Sequence, residues 1–214
     1  MVGRLADRID RAPVAHDAEL ARDTLGGLDP DLAGGATGEL LAGMAGSAPY
    51  LATLIRRHAD WLPEAAAASP EASLAAILRE MRAGVEAAPD QAAAGRALRA
   101  AKSRGALLVA LADLGGAWDL DAVTGALSDL AEGAAQAAVG WLLADELRRG
   151  KLPGLDAEAV ARGAGYVVLA MGKLGARELN YSSDIDLICL FDEGRLATDD
   201  YPEAKARYIQ VTKG

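Results

Sequence analysis

Apolar residues recur at helical spacing along most of the chain up to residue 150. Ser47 is placed to cap a helix through Leu62, in which Leu51, Leu54, Ile55, His58 and Leu62 fall on one face. Ser69, Pro70 and Glu71 form a second helix start, with proline in the first turn and an acid beside the positive end of the dipole. From there to about Val85 the spacing buries Leu74, Ile77, Leu78 and Met81. Pro89 opens a third helix that runs to Leu114 and stops at Gly115-Gly116. A long fourth is capped by Asp119 or Asp121 and continues to about Arg149, with Leu120, Val123, Leu127, Leu130, Ala134, Trp141, Leu142 and Leu147 as its apolar side. Arg148, Arg149 and Lys151 complement its C-terminus, and Pro153-Gly154 ends it. Residues 26–38 are glycine-rich and read as a loop.

The pattern changes after Gly163. Tyr166 to Met171 is an unbroken apolar run, too short for a typical helix and bounded by Gly165 and Gly172, which predicts a buried strand. Ile185 and Leu187 to Phe191 form a second such run, opened by Asp184 and Asp186. Side chains alternate along a strand, so the two acids are expected on one side while Ile185 and Leu187 enter a core. Between the runs, Gly172 and Gly175 permit positive φ or close backbone approach, and Lys173 brings a cation. Leu174 to Leu179 has the makings of a short helix closed at Asn180, with Ser182 and Ser183 supplying hydroxyls just before the acids.

Two acids that open an otherwise apolar strand are costly unless something cationic meets them. Hard divalent cations such as Mg²⁺ take oxygen ligands and keep several waters, which leaves room for phosphate oxygens. The grouping therefore points to a metal-dependent phosphate or nucleotide site. Asp184 and Asp186 are its candidate metal ligands, and Gly172, Lys173, Gly175, Ser182 and Ser183 its candidate phosphate-binding side.

This order of elements resembles the nucleotidyltransferase superfamily typified by DNA polymerase beta, in which a glycine motif after one strand precedes a D-x-D on the next. More closely, MGKLGARELNYSSDIDLICLFD is similar to the signature of the bifunctional glutamine synthetase adenylyltransferase/adenylyl-removing enzymes, in the form typical of their N-terminal, deadenylylating half. The stretch from Ser47 to Leu62 and the helical segment before the first strand resemble the same family. Ala176 departs from the second glycine that many relatives carry.

The resemblance implies an α+β fold. A mostly helical region, residues 1–155, would lead into the first strands of a polymerase-beta-like nucleotidyltransferase domain, residues 156–214, incomplete in this chain. It further implies phosphorolytic removal of AMP from a tyrosine of glutamine synthetase, releasing ADP, with Asp184 and Asp186 holding Mg²⁺ as catalytic residues. ATP, ADP and phosphate are the implied small-molecule partners, and the signal protein PII an implied regulator. The superfamily completes its site with a third carboxylate on a later strand. After Phe191 this chain offers Asp192, Glu193, Asp199 and Asp200 in an expected loop, then a helix after Pro202. The expectation is an N-terminal piece of a longer polypeptide, inactive alone. A helical binding module with an incomplete site, or a nucleotidyltransferase acting on another protein or a small molecule, are the alternatives.

Composition narrows the partners. Apolar residues make up 51% of the 214 but aromatics only 4%, which favours helices packed through small side chains. A net charge of -9 argues against nucleic acid as substrate, because phosphate backbones are bound by Lys and Arg. No apolar run is long enough to span a membrane, and the N-terminus is not a signal peptide. The single cysteine, Cys189, reads as a buried apolar residue, and with no disulfide available the expected compartment is the cytoplasm. His16 and His58 each stand alone and are not assigned as ligands; Arg96 and Arg99 share a helix face that reads as a solvated flank.

Overall fold

A computed structural model describes residues 3–152, 154–195 and 201–213. The chain is mostly helical with one two-stranded antiparallel sheet, the α+β arrangement expected. It divides into two compact units, Met1–Glu80 with Arg99–Leu130, and Met81–Leu98 with Ala131–Gly214. No helix among the described residues is long and apolar enough to cross a membrane.

The first unit is built around α3, Gly35–Ser47, which follows α1, Leu5–Arg8, and α2, Ala18–Leu25. The expected loop over 26–38 therefore ends early, and its last residues are helical. The glycines are what make this helix useful. A β-carbon on Gly43 would lie 1.9 Å from the carbonyl oxygen of Pro13, and one on Gly46 would lie 2.6 Å from that of Asp17. The N-terminal segment is thus laid directly on the helix backbone, and the Asp17 amide bonds the Gly46 carbonyl. Leu40, Leu41 and Met44 fill the core beneath, together with Leu54, Ile55, Leu107 and Leu111.

The single helix expected from Ser47 to Leu62 is broken into three pieces. These are α4, Pro49–Arg57, a 3₁₀ turn at Ala59–Trp61, and α5, Leu62–Ala67. Ser47 closes α3 instead of capping α4, and its hydroxyl donates to the Val14 carbonyl. Ala48 precedes a proline, which disfavours the helical region for it; it adopts φ -142°, ψ 107° and splits the two helices. The apolar face survives the break, with Leu54, Ile55 and Leu62 all buried.

The later helices match their signals. Helix α6 spans Pro70–Glu86, α7 Gln91–Leu114 and α8 Leu120–Arg148. Asp90 caps α7 by accepting from Ala93, and Asp119, not Asp121, caps α8 by accepting from Ala122. Leu120, expected on the apolar side of α8, is 74% exposed because it is the first residue of the helix.

The second unit holds the strands. Helix α9, Ala157–Ala161, leads to β1, Tyr166–Met171; a four-residue helix α10, Gly172–Gly175, follows, then β2, Asp186–Phe191, and α11, Tyr201–Lys213. The strands pair from Tyr166 opposite Phe191 to Met171 opposite Asp186. Tyr208 of α11 stacks on Phe191 at 4.9 Å and on Tyr166 at 5.8 Å, and its hydroxyl donates to the Ala164 carbonyl at 2.6 Å. Burial, and secondarily the Cys189 thiol, push the Tyr166 hydroxyl up to about 12, so it stays protonated. A second cluster joins Val85, Ala88, Ala94 and Trp141, whose indole donates to the Ala88 carbonyl.

The strands are less buried than their sequences suggest. Tyr166, Val168, Cys189 and Phe191 turn toward the core, and Cys189 is half-buried. Val167, Leu169, Met171, Ile188 and Leu190, on the opposite face, are 44 to 49% exposed. A two-stranded sheet has only short reach, and among the described residues the cluster of helices covers one face of it.

Two outcomes follow for the first unit. Gly43→Ala should destabilise the fold by roughly 1–3 kcal/mol despite alanine's better helix propensity, and so lower the urea midpoint, since the methyl group forces the Pro13 segment away; an unchanged midpoint would contradict that packing. His58 lies 2.7 Å from Ser103 Oγ, and burial, then the charges of Arg104 and Arg57, hold its imidazole below the usual range. The unfolded histidine, titrating near 6.5, takes up its proton first, so stability falls as pH drops below about 6.5 and levels off once the folded group also protonates. Denaturation between about pH 7 and about pH 5 should show this fall, and His58→Gln should reduce it.

Candidate phosphate and metal site

The ladder decides which predicted residues meet. Because Met171 is paired with Asp186, the residue after β1 lies beside the residue that opens β2. Gly172 takes φ 55°, a conformation costly for any residue with a side chain. A β-carbon there would sit 3.0 Å from Asp186 Oδ2, so the absent side chain leaves a small cradle in front of the carboxylate.

The helix expected over Leu174 to Leu179 is shorter and earlier, only Gly172–Gly175. It ends in a backbone reversal in which Arg177 N–H bonds the Leu174 carbonyl and Glu178 N–H the Lys173 carbonyl. This is the pairing of a Schellman C-cap, with Arg177 in the left-handed position that glycine usually fills, at φ 59°. Leu174 and Leu179 are buried on either side of the reversal and pin it to the core. Gly175 serves this packing: a β-carbon on it would lie 2.5 Å from the Ala170 carbonyl oxygen of β1. Lys173 is exposed, and the Arg177 guanidinium is 3.6 Å from Glu132 of α8.

Asn180 is not a helix stop but the centre of a turn. Its Oδ1 accepts from Ser182 N–H at 3.2 Å and from Ser183 Oγ–H at 2.7 Å, its carbonyl accepts from Ser183 N–H at 3.2 Å, and its own N–H points to Ser183 Oγ at 3.3 Å. Ser182 and Ser183 are thus brought together by Asn180. The Ser183 proton is spent inside the turn, whereas Ser182 is held through its amide and keeps its side chain exposed.

The two aspartates are held by different means. Asp186 is the first residue of β2 and is fixed by the ladder, but Asp184 lies two residues outside the strand, so strand alternation does not place it. Both are exposed. Among the described residues no group of three or more His, Cys, Asp or Glu is arranged to hold a metal. Of the acids that follow Phe191, Asp192 accepts from Gly194 N–H, and Glu193 accepts from the Tyr201 hydroxyl; Asp199 and Asp200 lie outside the described residues.

The donor set suits a hard divalent cation: two accessible carboxylates, with open space in front of one of them where Gly172 has no side chain. Such a cation would keep water on its remaining positions. Sequence reasoning missed Asn180 as an organiser and Arg177 as a capping residue. The Asn-Tyr-Ser-Ser spacing, an asparagine two residues before a serine amide, is an Asx-turn signal that identifies the first.

Comparison with known proteins identifies the family of the chain. The family model for glutamate-ammonia ligase adenylyltransferase matches residues 38–212. Proteins named bifunctional glutamine synthetase adenylyltransferase/adenylyl-removing enzyme are similar throughout. The one from Bradyrhizobium diazoefficiens is 45% identical over 175 residues, 82% of this chain and 18% of its own length. That of Xanthobacter autotrophicus is 44% identical over 172 residues, 80% of this chain and 17% of its own. That of Rhodopseudomonas palustris strain BisB5 is 40% identical over 225 residues, 98% of this chain and 22% of its own. The chain therefore spans about a fifth of the length of these relatives. No solved structure matches it. With the family model covering most of its length, the chain belongs to the glutamate-ammonia ligase adenylyltransferase family.

Proposed function

We propose that this chain contributes the opening part of a metal-dependent adenylyl-transfer site in a protein that regulates glutamine synthetase, and that the site removes AMP from a tyrosine by phosphorolysis. The observation that carries the reading is the placing of Gly172 against Asp186, which sets an open backbone in front of a carboxylate. The names of the family and of its relatives supply the substrate, glutamine synthetase.

On this reading Asp184 and Asp186 hold Mg²⁺, which would supply charge to offset that developing on the phosphoryl oxygens. Lys173 brings a cation to the same loop, and the bare backbone at Gly172 lets a phosphate approach the strand end without meeting a side chain. Gly175 acts one step back by letting that loop fold onto β1. Ser182 is the serine left to donate to a phosphate oxygen; Ser183, its proton given to Asn180, shapes the turn. The acidic overall charge fits a protein and nucleotide substrate better than a nucleic acid. ADP is the product on this reading, and the cytoplasm its compartment.

The test uses the full-length protein with adenylylated glutamine synthetase and phosphate. Asp186→Asn should lower ADP release on the order of 10²–10³-fold; near wild-type turnover would sink the assignment. Gly172→Ala should lower it on the order of 10²-fold while α-helical content is unchanged, because the added methyl group meets the Asp186 carboxylate. A substrate screen with labelled ATP that finds transfer to a different acceptor would keep the chemistry and replace the substrate.

A further inference from the structure

The ladder that fixes Asp186 stops there, yet a two-carboxylate site needs Asp184 held as firmly. Between Leu179, which is buried, and Asp186, which is paired, the chain crosses six residues with no strand or helix to hold them. Within it, four hydrogen bonds link Asn180 to the two serines. Ser183, the residue bonded to Asp184, takes part in three of the four.

The atoms assign the roles. The Ser182 amide donates to the Asn180 side-chain atom at 3.2 Å, so that atom is the carbonyl oxygen and not the amide nitrogen. The Ser183 hydroxyl meets the same oxygen at 2.7 Å and must therefore be the donor, which spends its only proton. One side chain thus fixes the backbone at 182 and the side chain at 183, immediately before the first carboxylate. We infer that Asn180 is the positioning residue for Asp184, acting with Ser183 as one unit, and that it sets the affinity of the carboxylate pair for a divalent cation. This deepens the metal reading proposed above and rests on it.

Outer partners of metal ligands are worth about 10- to 100-fold in affinity, and residues that act as one unit are non-additive. The probe is Mn²⁺, titrated into the chain and followed by electron paramagnetic resonance. Binding should be saturable and lost in Asp186→Asn. Asn180→Ala and Ser183→Ala should each weaken it about tenfold or more, and the double variant should be no weaker than the worse single variant. Ser183→Thr, which keeps the hydroxyl, should retain wild-type affinity within about threefold. The two Ser183 variants differ in that hydroxyl, so they decide the matter even where Asn180→Ala perturbs folding. Saturable binding that both alanine variants leave unchanged, or effects that simply add, would overturn the role of Asn180 alone. No saturable binding that depends on Asp186 would overturn the metal reading, and this inference with it.

Discussion

The pairing register of β1 and β2 is the constraint on which the candidate site depends. The ladder has six residue pairs, and its two ends do different things. At one, Tyr166 and Phe191 are clamped by Tyr208, whose ring stacks on both and whose hydroxyl is satisfied by the Ala164 carbonyl. At the other, Met171 and Asp186 bring the glycine loop against a carboxylate. A slip of one residue would turn Asp186 to the covered face and a hydrophobic residue toward Gly172. A two-stranded ribbon has little stability of its own, so the aromatic clamp at the far end is what holds the acid in place.

Strain and small residues concentrate where backbones must touch. Gly172 and Gly175 fold the loop back onto β1, one by its positive φ and the other by a close approach to the Ala170 carbonyl. Arg177 takes the left-handed conformation in a position where glycine would cost less, and spends its side chain on a surface pair with Glu132. In the first unit the same economy of volume appears in α3, where Gly43 and Gly46 admit the N-terminal segment to the helix backbone. The low aromatic content of the chain and its abundant glycine are thus parts of one packing scheme.

The outer face of the ribbon joins an apolar surface to the acid. Leu169, Met171 and Ile188 share that face with Asp186 and are exposed with it. The Asn180 turn orders the segment just before Asp184, and the strand ladder fixes Asp186.

Much of this was legible in the chain itself. The 3.6-residue spacing, Pro89 and the cap at Asp119 announce the long helices to within a residue or two, because helix formation and capping are local. The strands, the glycines between them and the pair of acids were equally plain, and the motif pointed to the family that the comparison then showed. What the tertiary structure decided was everything that depends on residues far apart. The helix expected from Ser47 to Leu62 read as continuous because its apolar face is continuous, and the constraint at Ala48 before Pro49 prevailed over it. Glycine-rich α3 resembled a loop because what makes it stable is the Pro13 and Asp17 backbone laid against it, which no local pattern records. The apolar runs suggested buried strands, with Ile185 and Leu187 in a core, but a sheet buries only the faces that other elements cover, and those two residues are exposed. Alternation placed Asp184 and Asp186 together on one strand, whereas the ladder begins at Asp186 and leaves Asp184 to a turn. Residue types and their order settled which chemistry the chain can offer, since reactivity belongs to side chains; the pairing of distant backbone atoms decided which of those side chains meet.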